Sequence, residues 1–171
     1  RWVCWNNATA ATLVRQHVRL ATCWDVAAAH RLLFGGWRAD PARVWAILHG
    51  LDHHRLPVMG QLDLMGAGSD DGDPEHAVRP DGYLRPEWLA GGWADTPLRA
   101  AGWAATALTA ASRQQARLAV LPTGDGHGDP MATARSESAA ELLCAELAED
   151  GLPVDMAGAE QLIASIVGPR P

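Results

Sequence analysis

The sequence contains no lysine. All 14 basic residues are arginine, set against 20 acidic ones, for a formal net charge of −6 and a pI near 5.6. That balance argues against a strong free-standing nucleic-acid binder, whose phosphate affinity comes from clustered cations, so any DNA role has to be local or supplied by a partner domain. The absence of lysine from a chain rich in Ala, Gly and Arg is the codon bias of a GC-rich genome rather than a functional device. Cysteine is scarce as well. Cys4, Cys23 and Cys144 are odd in number and lack CxxC spacing, which fits small buried hydrophobes in a reducing cytoplasm and argues against a disulfide framework or a zinc site. No run reaches the roughly 20 apolar residues of a membrane span and no signal-peptide pattern opens the chain, so no membrane partner is expected. There is no G-x-S-x-G, no P-loop, no G-x-G-x-x-G after a strand and no RNA-binding aromatic motif. With one Phe and one Tyr, the eight Trp and the leucines must serve as the large core anchors.

What is present is mostly helical pattern. A chain of 171 residues and 18.2 kDa suffices for one domain, or for a domain with an appended element. Residues 2–5 (WVCW) predict a short buried strand ending at Asn6-Asn7, residues 8–17 a helix, and residues 18–21 a second short strand. Asp25 is placed to cap a helix in which Val26, Ala29, His30 and Leu33 share a stripe, ended by Gly35-Gly36. Strand, helix, strand, helix is the grammar of an α/β layer. Asp40-Pro41 then starts a helix through Leu48, with Val44, Trp45 and Leu48 inward. Residues 51–95, broken by proline and glycine, predict an irregular surface excursion with one short helical piece at 85–90. Thr96-Pro97 opens the longest helix, residues 98–121, with Leu98, Ala101, Ala105 and Leu108 on one stripe. Residues 122–130 (PTGDGHGDP) have linker composition.

Residues 134–167 complete the pattern as a helix pair. Ala139, Ala140, Leu143 and Leu147 are predicted to face a core, Gly151 to stop the first helix, and Asp155 to cap a second one carrying Ala159, Leu162, Ile163, Ile166 and Val167. The chain begins without Met inside a strand-like run, as expected of a piece of a longer protein.

Candidate chemistry is thin. Asp70, Asp71, Asp73 and Glu75 crowd one loop and could hold a hard cation, but their spacing does not fit a calcium loop and a solvated acidic loop is the expectation. His49, His53 and His54 form the only histidine cluster, and a helix end followed by a loop suits favourable charge as well as ligation. His30, on an apolar stripe, is expected to be a core or boundary residue rather than a base. Asp125, His127 and Asp129 alternate in the linker, where a flexible backbone holds catalytic geometry badly.

A resemblance sharpens this. Residues 138–163 (SAAELLCAELAEDGLPVDMAGAEQLI) resemble the segment of family A DNA polymerases that leaves the 3'-5' exonuclease domain and starts the polymerase domain, with AEDGLPVD at 148–155 standing where the family has a phrase like "ERNGVLID". Residues 6–33, through Val18, Leu20, Asp25 and Leu32-Leu33, resemble the exonuclease stretch that runs from "NLKYD" through "GIEL" to "FDTMLASYLL". The chain looks most like the high-GC actinobacterial proteins that combine 3'-5' exonuclease and DNA polymerase segments. The resemblance implies an α/β but predominantly helical fold, the remnant of a ribonuclease H-like 3'-5' exonuclease domain followed by a helix pair. It implies residues 1–121 as a degenerate exonuclease-like domain, 122–132 as a linker and 133–171 as the leading helices of a polymerase domain.

The family's exonuclease chemistry uses two divalent metals held by carboxylates. Here the acid of "NLKYD" is replaced in the region of Ala8 and Thr9, and the Tyr and Asp of the last motif are replaced by Trp103 and Ala107. The Asp-x-Glu strand would precede Arg1. Asp25 matches the "FDT" aspartate, which is not a metal ligand in the family, and is expected to be a helix cap. The resemblance therefore implies no catalytic residue, metal ligand or cofactor in this chain, with magnesium belonging to the parent polymerase. It also implies DNA as a partner through that parent, a polymerase domain downstream, a role in DNA replication or repair, and a packed face at Trp103 and Ala107. Two other classes stay open: an active metal-dependent 3'-5' exonuclease whose ligands come from outside the chain, and a non-enzymatic protein-interaction domain with exposed Trp residues.

Overall fold

Parallel strands cannot be joined by a tight turn, so a parallel pair needs a crossover. In the computed structural model, which describes residues 1–56, 72–123 and 128–168, β1 (Trp2–Cys4) and β2 (Cys23–Asp25) pair in parallel and α1 (Asn7–Arg15) is that crossover. The Asn6 side chain accepts from the Ala8 N–H and caps α1, and His17, at φ 58°, turns the chain out of it. The second strand forms at Cys23–Asp25 rather than at the expected 18–21. The reason is burial on both faces. Cys4 and Cys23 face one small core with Ala10, Val14 and Leu20, while Trp24 sits in the main core with Trp5. In the earlier run Leu20 alone is buried, while Val18 is exposed and Arg19 is drawn outward to Asp150, so it is not covered on both faces.

From β2 the chain passes directly into α2 (Val26–Phe34), whose cap is the Asp25 carboxylate, accepting from the Ala28 N–H at 2.8 Å. α3 (Pro41–Leu48) follows, capped by Asp40 with Pro41 in its first turn. After a single 3₁₀ turn at His53–Arg55, the described part of the excursion carries α4 (Pro86–Leu89) and a second 3₁₀ turn at Gly92–Ala94. It is irregular, as expected, but it is not a surface feature alone. Ala77, Leu84 and Trp88 enter the main core, the Trp45 indole N–H donates to the Gly82 carbonyl, and Arg99 donates to Glu75 from the next helix.

α5 (Pro97–Ala119) is the longest helix, with Thr96 as its cap. Its buried face is not the stripe of Leu98, Ala101, Ala105 and Leu108, which is exposed, but that of Trp103, Thr106, Ala107, Ala110, Ala111 and Gln114. Alanines surround this helix, so period alone marks two faces; the bulk of Trp103 and the small alanines behind it choose the one that can approach β1 and α2 closely. Gly102 lets Trp88 lie against the helix, since a Cβ there would stand 3.1 Å from the indole.

α6 (Pro130–Asp150) packs on α1, β2 and α2, and so belongs to the same body as the strands. Here too the expected face is reversed: Ala134, Ser138, Leu142 and Ala145 are buried, whereas Ala139, Ala140, Leu143 and Leu147 are exposed. Gly151 ends α6 at φ 73°, and α7 (Met156–Val167), capped by Asp155, buries none of its residues. The architecture is predominantly helical around a two-stranded parallel sheet.

Candidate functional site

Four positions were singled out on the strength of the resemblance, and they lie on three different elements. Thr9 lies on the exposed side of α1. Asp25 ends β2, and Trp103 and Ala107 lie on the buried face of α5. Trp103 packs its ring 5.0 Å from Trp5 and 6.4 Å from Trp88, centroid to centroid, and Ala107 is buried in the same cluster. This face is packed, as expected. A hydroxyl, an indole and a methyl group supply no anionic oxygen, so these positions do not fit a divalent cation of the kind that activates water between carboxylates.

Asp25 is the one acid among them, and its geometry is that of a cap. One carboxylate oxygen accepts from the Ala28 N–H, and its own N–H donates to the Ser138 hydroxyl at 3.0 Å. Burial pushes its carboxyl up to about 6, with Glu141 adding to the rise while the Ala28 hydrogen bond and Arg31 oppose it. On the same sheet face, burial pushes the Cys4 thiol up to about 11, with Cys23 and Asp25 adding to it. A thiol held so firmly in its protonated form is a poor nucleophile.

Around Asp25 runs a buried polar network that no motif marks. The Ser138 hydroxyl donates back to the Ala134 carbonyl at 2.8 Å, and the Cys23 thiol donates to the Ser138 carbonyl at 3.4 Å. The Trp24 indole donates to Gln114 at 2.9 Å, and the Gln114 amide donates to the Val26 carbonyl at 2.8 Å. Glu141 accepts from both Asn7 and Arg31. These contacts join α5 and α6 to the β2–α2 corner. The available signal was slight: one of two adjacent glutamines in α5 and one of two serines in α6, each in an alanine-rich helix.

The histidines do not converge. His49 stacks on Trp45 at 3.8 Å with its Nδ1 2.9 Å from the Trp45 carbonyl, and burial holds its pKa below the usual value. That works against the favourable helix-end charge considered for it. His53 and His54 pack on each other at 4.2 Å. His30 is a core residue, 1% exposed, whose Nδ1 has no hydrogen-bond partner; burial first, then Arg43, lowers its pKa to about 4. Among the loop acids, Asp73 accepts from the Glu75 N–H and Glu75 binds Arg99, so both are structural. Asp129 caps α6. Asp70, Asp71, Asp125 and His127 lie outside the described residues.

Among the described residues, no three His, Cys, Asp or Glu side chains are grouped so as to hold a metal ion, and no helix is long and apolar enough to cross a membrane. No family model, curated protein or solved structure matches the chain.

Proposed function

We propose that this chain is the non-catalytic, exonuclease-like portion of a family A DNA polymerase-like protein that acts in DNA replication or repair. Its fold is read as the remnant of a ribonuclease H-like domain, and its work as structural support with guidance of a DNA strand. The observation that carries the reading is the filling of the metal-binding positions: Thr9 is exposed and uncharged, while Trp103 and Ala107 are spent on the core. The parallel strand, helix, strand unit supports it at the level of architecture. Magnesium then belongs to the parent polymerase, and DNA is met through that parent.

A second observation favours a packing role. α7 leaves Leu162, Ile163, Ile166 and Val167 at 59–76% exposure, and an isolated helix of that length is marginal in water. In this reading the face is where the polymerase domain packs; a separate protein-interaction role is the alternative. The chemistry is tested by incubating stoichiometric protein with end-labelled single-stranded DNA in magnesium or manganese. The expected result is intact DNA. Metal-dependent shortening from the 3' end that disappears in Asp25→Ala would overturn the proposal in favour of an active nuclease.

A further inference from the structure

Two apolar stripes face solvent on consecutive helices. On α6 the stripe is Ala139, Ala140, Leu143 and Leu147, with Leu143 53% and Leu147 37% exposed. On α7 it is Ala159, Leu162, Ile163, Ile166 and Val167, the last four at 59–76%. α6 is already seated through Ala134, Ser138, Leu142 and Ala145, so its stripe is left over from that packing.

The chain between the stripes is short. Residues 151–155 (GLPVD) join Asp150, the end of α6, to Met156, the start of α7. Gly151, at φ 73°, ends α6, and Pro153 cannot continue it. Five residues is a length that joins antiparallel neighbours in helix bundles. Even fully extended, the link holds the start of α7 within about 20 Å of the end of α6.

The spacing on the two sides of the link matches. Counting outward, Leu147 stands four residues before Gly151 and Ala159 four after Asp155. Leu143 and Ile163 each stand eight away, and Ala140 and Ala139 stand eleven and twelve away, as do Ile166 and Val167. Helices share one rise per residue, so in an antiparallel hairpin residues at equal distance from the turn meet. Leu147 then falls on Ala159, Leu143 on Ile163, and the two alanines on Ile166 and Val167. Setting large side chains against small ones lets two helices interdigitate closely.

We infer that α7 is a hinged arm with a seat on α6, exchanging between the open position of this structure and a closed αα-hairpin in which the two stripes cover each other. Closure is partial, and the open form stays populated. A helix of twelve residues is marginal alone, so closing also steadies α7. The arm uses the face that the reading above gives to a downstream polymerase domain, and that domain and α6 compete for it. The competition rests on that reading; the hinge does not.

Disulfide trapping in the whole chain tests the register. In a Cys144→Ser background, which removes the one exposed thiol, one variant carries Leu143→Cys with Ile163→Cys and another Leu143→Cys with Gln161→Cys, on the far side of α7. All these positions are exposed, and the buried Cys4 and Cys23 report retained folding by failing to react with an alkylating reagent. Under mild oxidation with diamide at low protein concentration, followed by intact mass, the first variant should form its internal disulfide at least about tenfold faster than the second, because the tethers are nearly equal and only the first pair comes within disulfide reach. Equal rates, or no internal disulfide in the first variant, would overturn the hinge. So would a disulfide formed chiefly between two chains, which would give the face to a second copy. Each of these results leaves the non-catalytic reading to the DNA cleavage assay, which decides it separately.

Discussion

α3 and α7 are both short, both capped by an aspartate and both rich in aliphatic side chains, yet Val44, Trp45, Ala46 and Leu48 of α3 are buried and α7 buries nothing. The difference is in what surrounds them. α3 receives the described excursion through Trp45 and Gly82, and two arginines of α5 bind its last carbonyls. α7 has its Asp155 cap and its own backbone hydrogen bonds. A hydrophobic stripe says that a face is suited to cover, and the cover itself has to come from elsewhere.

The comparison can be broken at its strong end first. Trp24→Ala, at a side chain fully buried and bonded to Gln114, should cost about 3–5 kcal/mol in urea unfolding. A loss below about 1 kcal/mol would mean that the packed half is looser than described.

The next largest effect is a pair of opposed pH dependences on α2. Asp25, raised to about 6, gives a contribution that is present below its unfolded pKa and lost as pH rises through 6. His30, lowered to about 4, gives one that is present above its unfolded pKa of 6.5 and lost as pH falls through 4. Between pH 4 and 6 the two changes oppose each other, so the unaltered chain should show little net slope from this pair. Asp25→Asn should leave a steeper loss of stability on acidification, and His30→Leu a gain, each on the order of 2 kcal/mol across the window. Parallel stability curves for all three proteins would show that neither group is perturbed as described.

Ser138→Ala removes a hydrogen bond from the buried Asp25 N–H and should cost about 1–2 kcal/mol in the same unfolding assay. The smallest effect belongs to the bare region. Leu162→Ala and Ile166→Ala should each change the stability of this chain by less than about 0.5 kcal/mol, because both side chains are largely exposed. A loss near 2 kcal/mol from either would show that α7 is covered in solution, and would erase the contrast with α3.

Much of this fold was legible as punctuation. Asp25, Asp40, Thr96 and Asp155 each cap the helix assigned to them, and Gly151 ends α6 where expected, because capping is chemistry between neighbours in sequence. Faces were read less well. On α5 and α6, alanine occurs on all sides, and the buried side is chosen by what docks there: Trp5 and Trp88 against Trp103, and the Asp25 N–H against Ser138. The second strand shifted for the same reason, since Cys23–Asp25 is buried at every position and residues 18–21 bury only Leu20. At the candidate site, the packed face at Trp103 and Ala107 was expected from the resemblance, while the apolar stripe read on α5 pointed to another face. The hydrogen bonds that join Trp24 to Gln114 and Asp25 to Ser138 did not follow from any motif, because residues from β2, α5 and α6 meet there only in three dimensions.

The proposed function turns on the face at Trp103, which is packed into the core where the resemblance would place a metal site. Manganese is paramagnetic and broadens nuclear resonances close to where it binds, so titrating it into the chain while following the indole N–H signals of the eight tryptophans interrogates that face directly. The account predicts that the Trp103 and Trp5 signals keep their widths at manganese levels that leave the rest of the spectrum sharp. Selective, saturable broadening of Trp103 would contradict it, by placing a divalent cation beside a face that the core has filled.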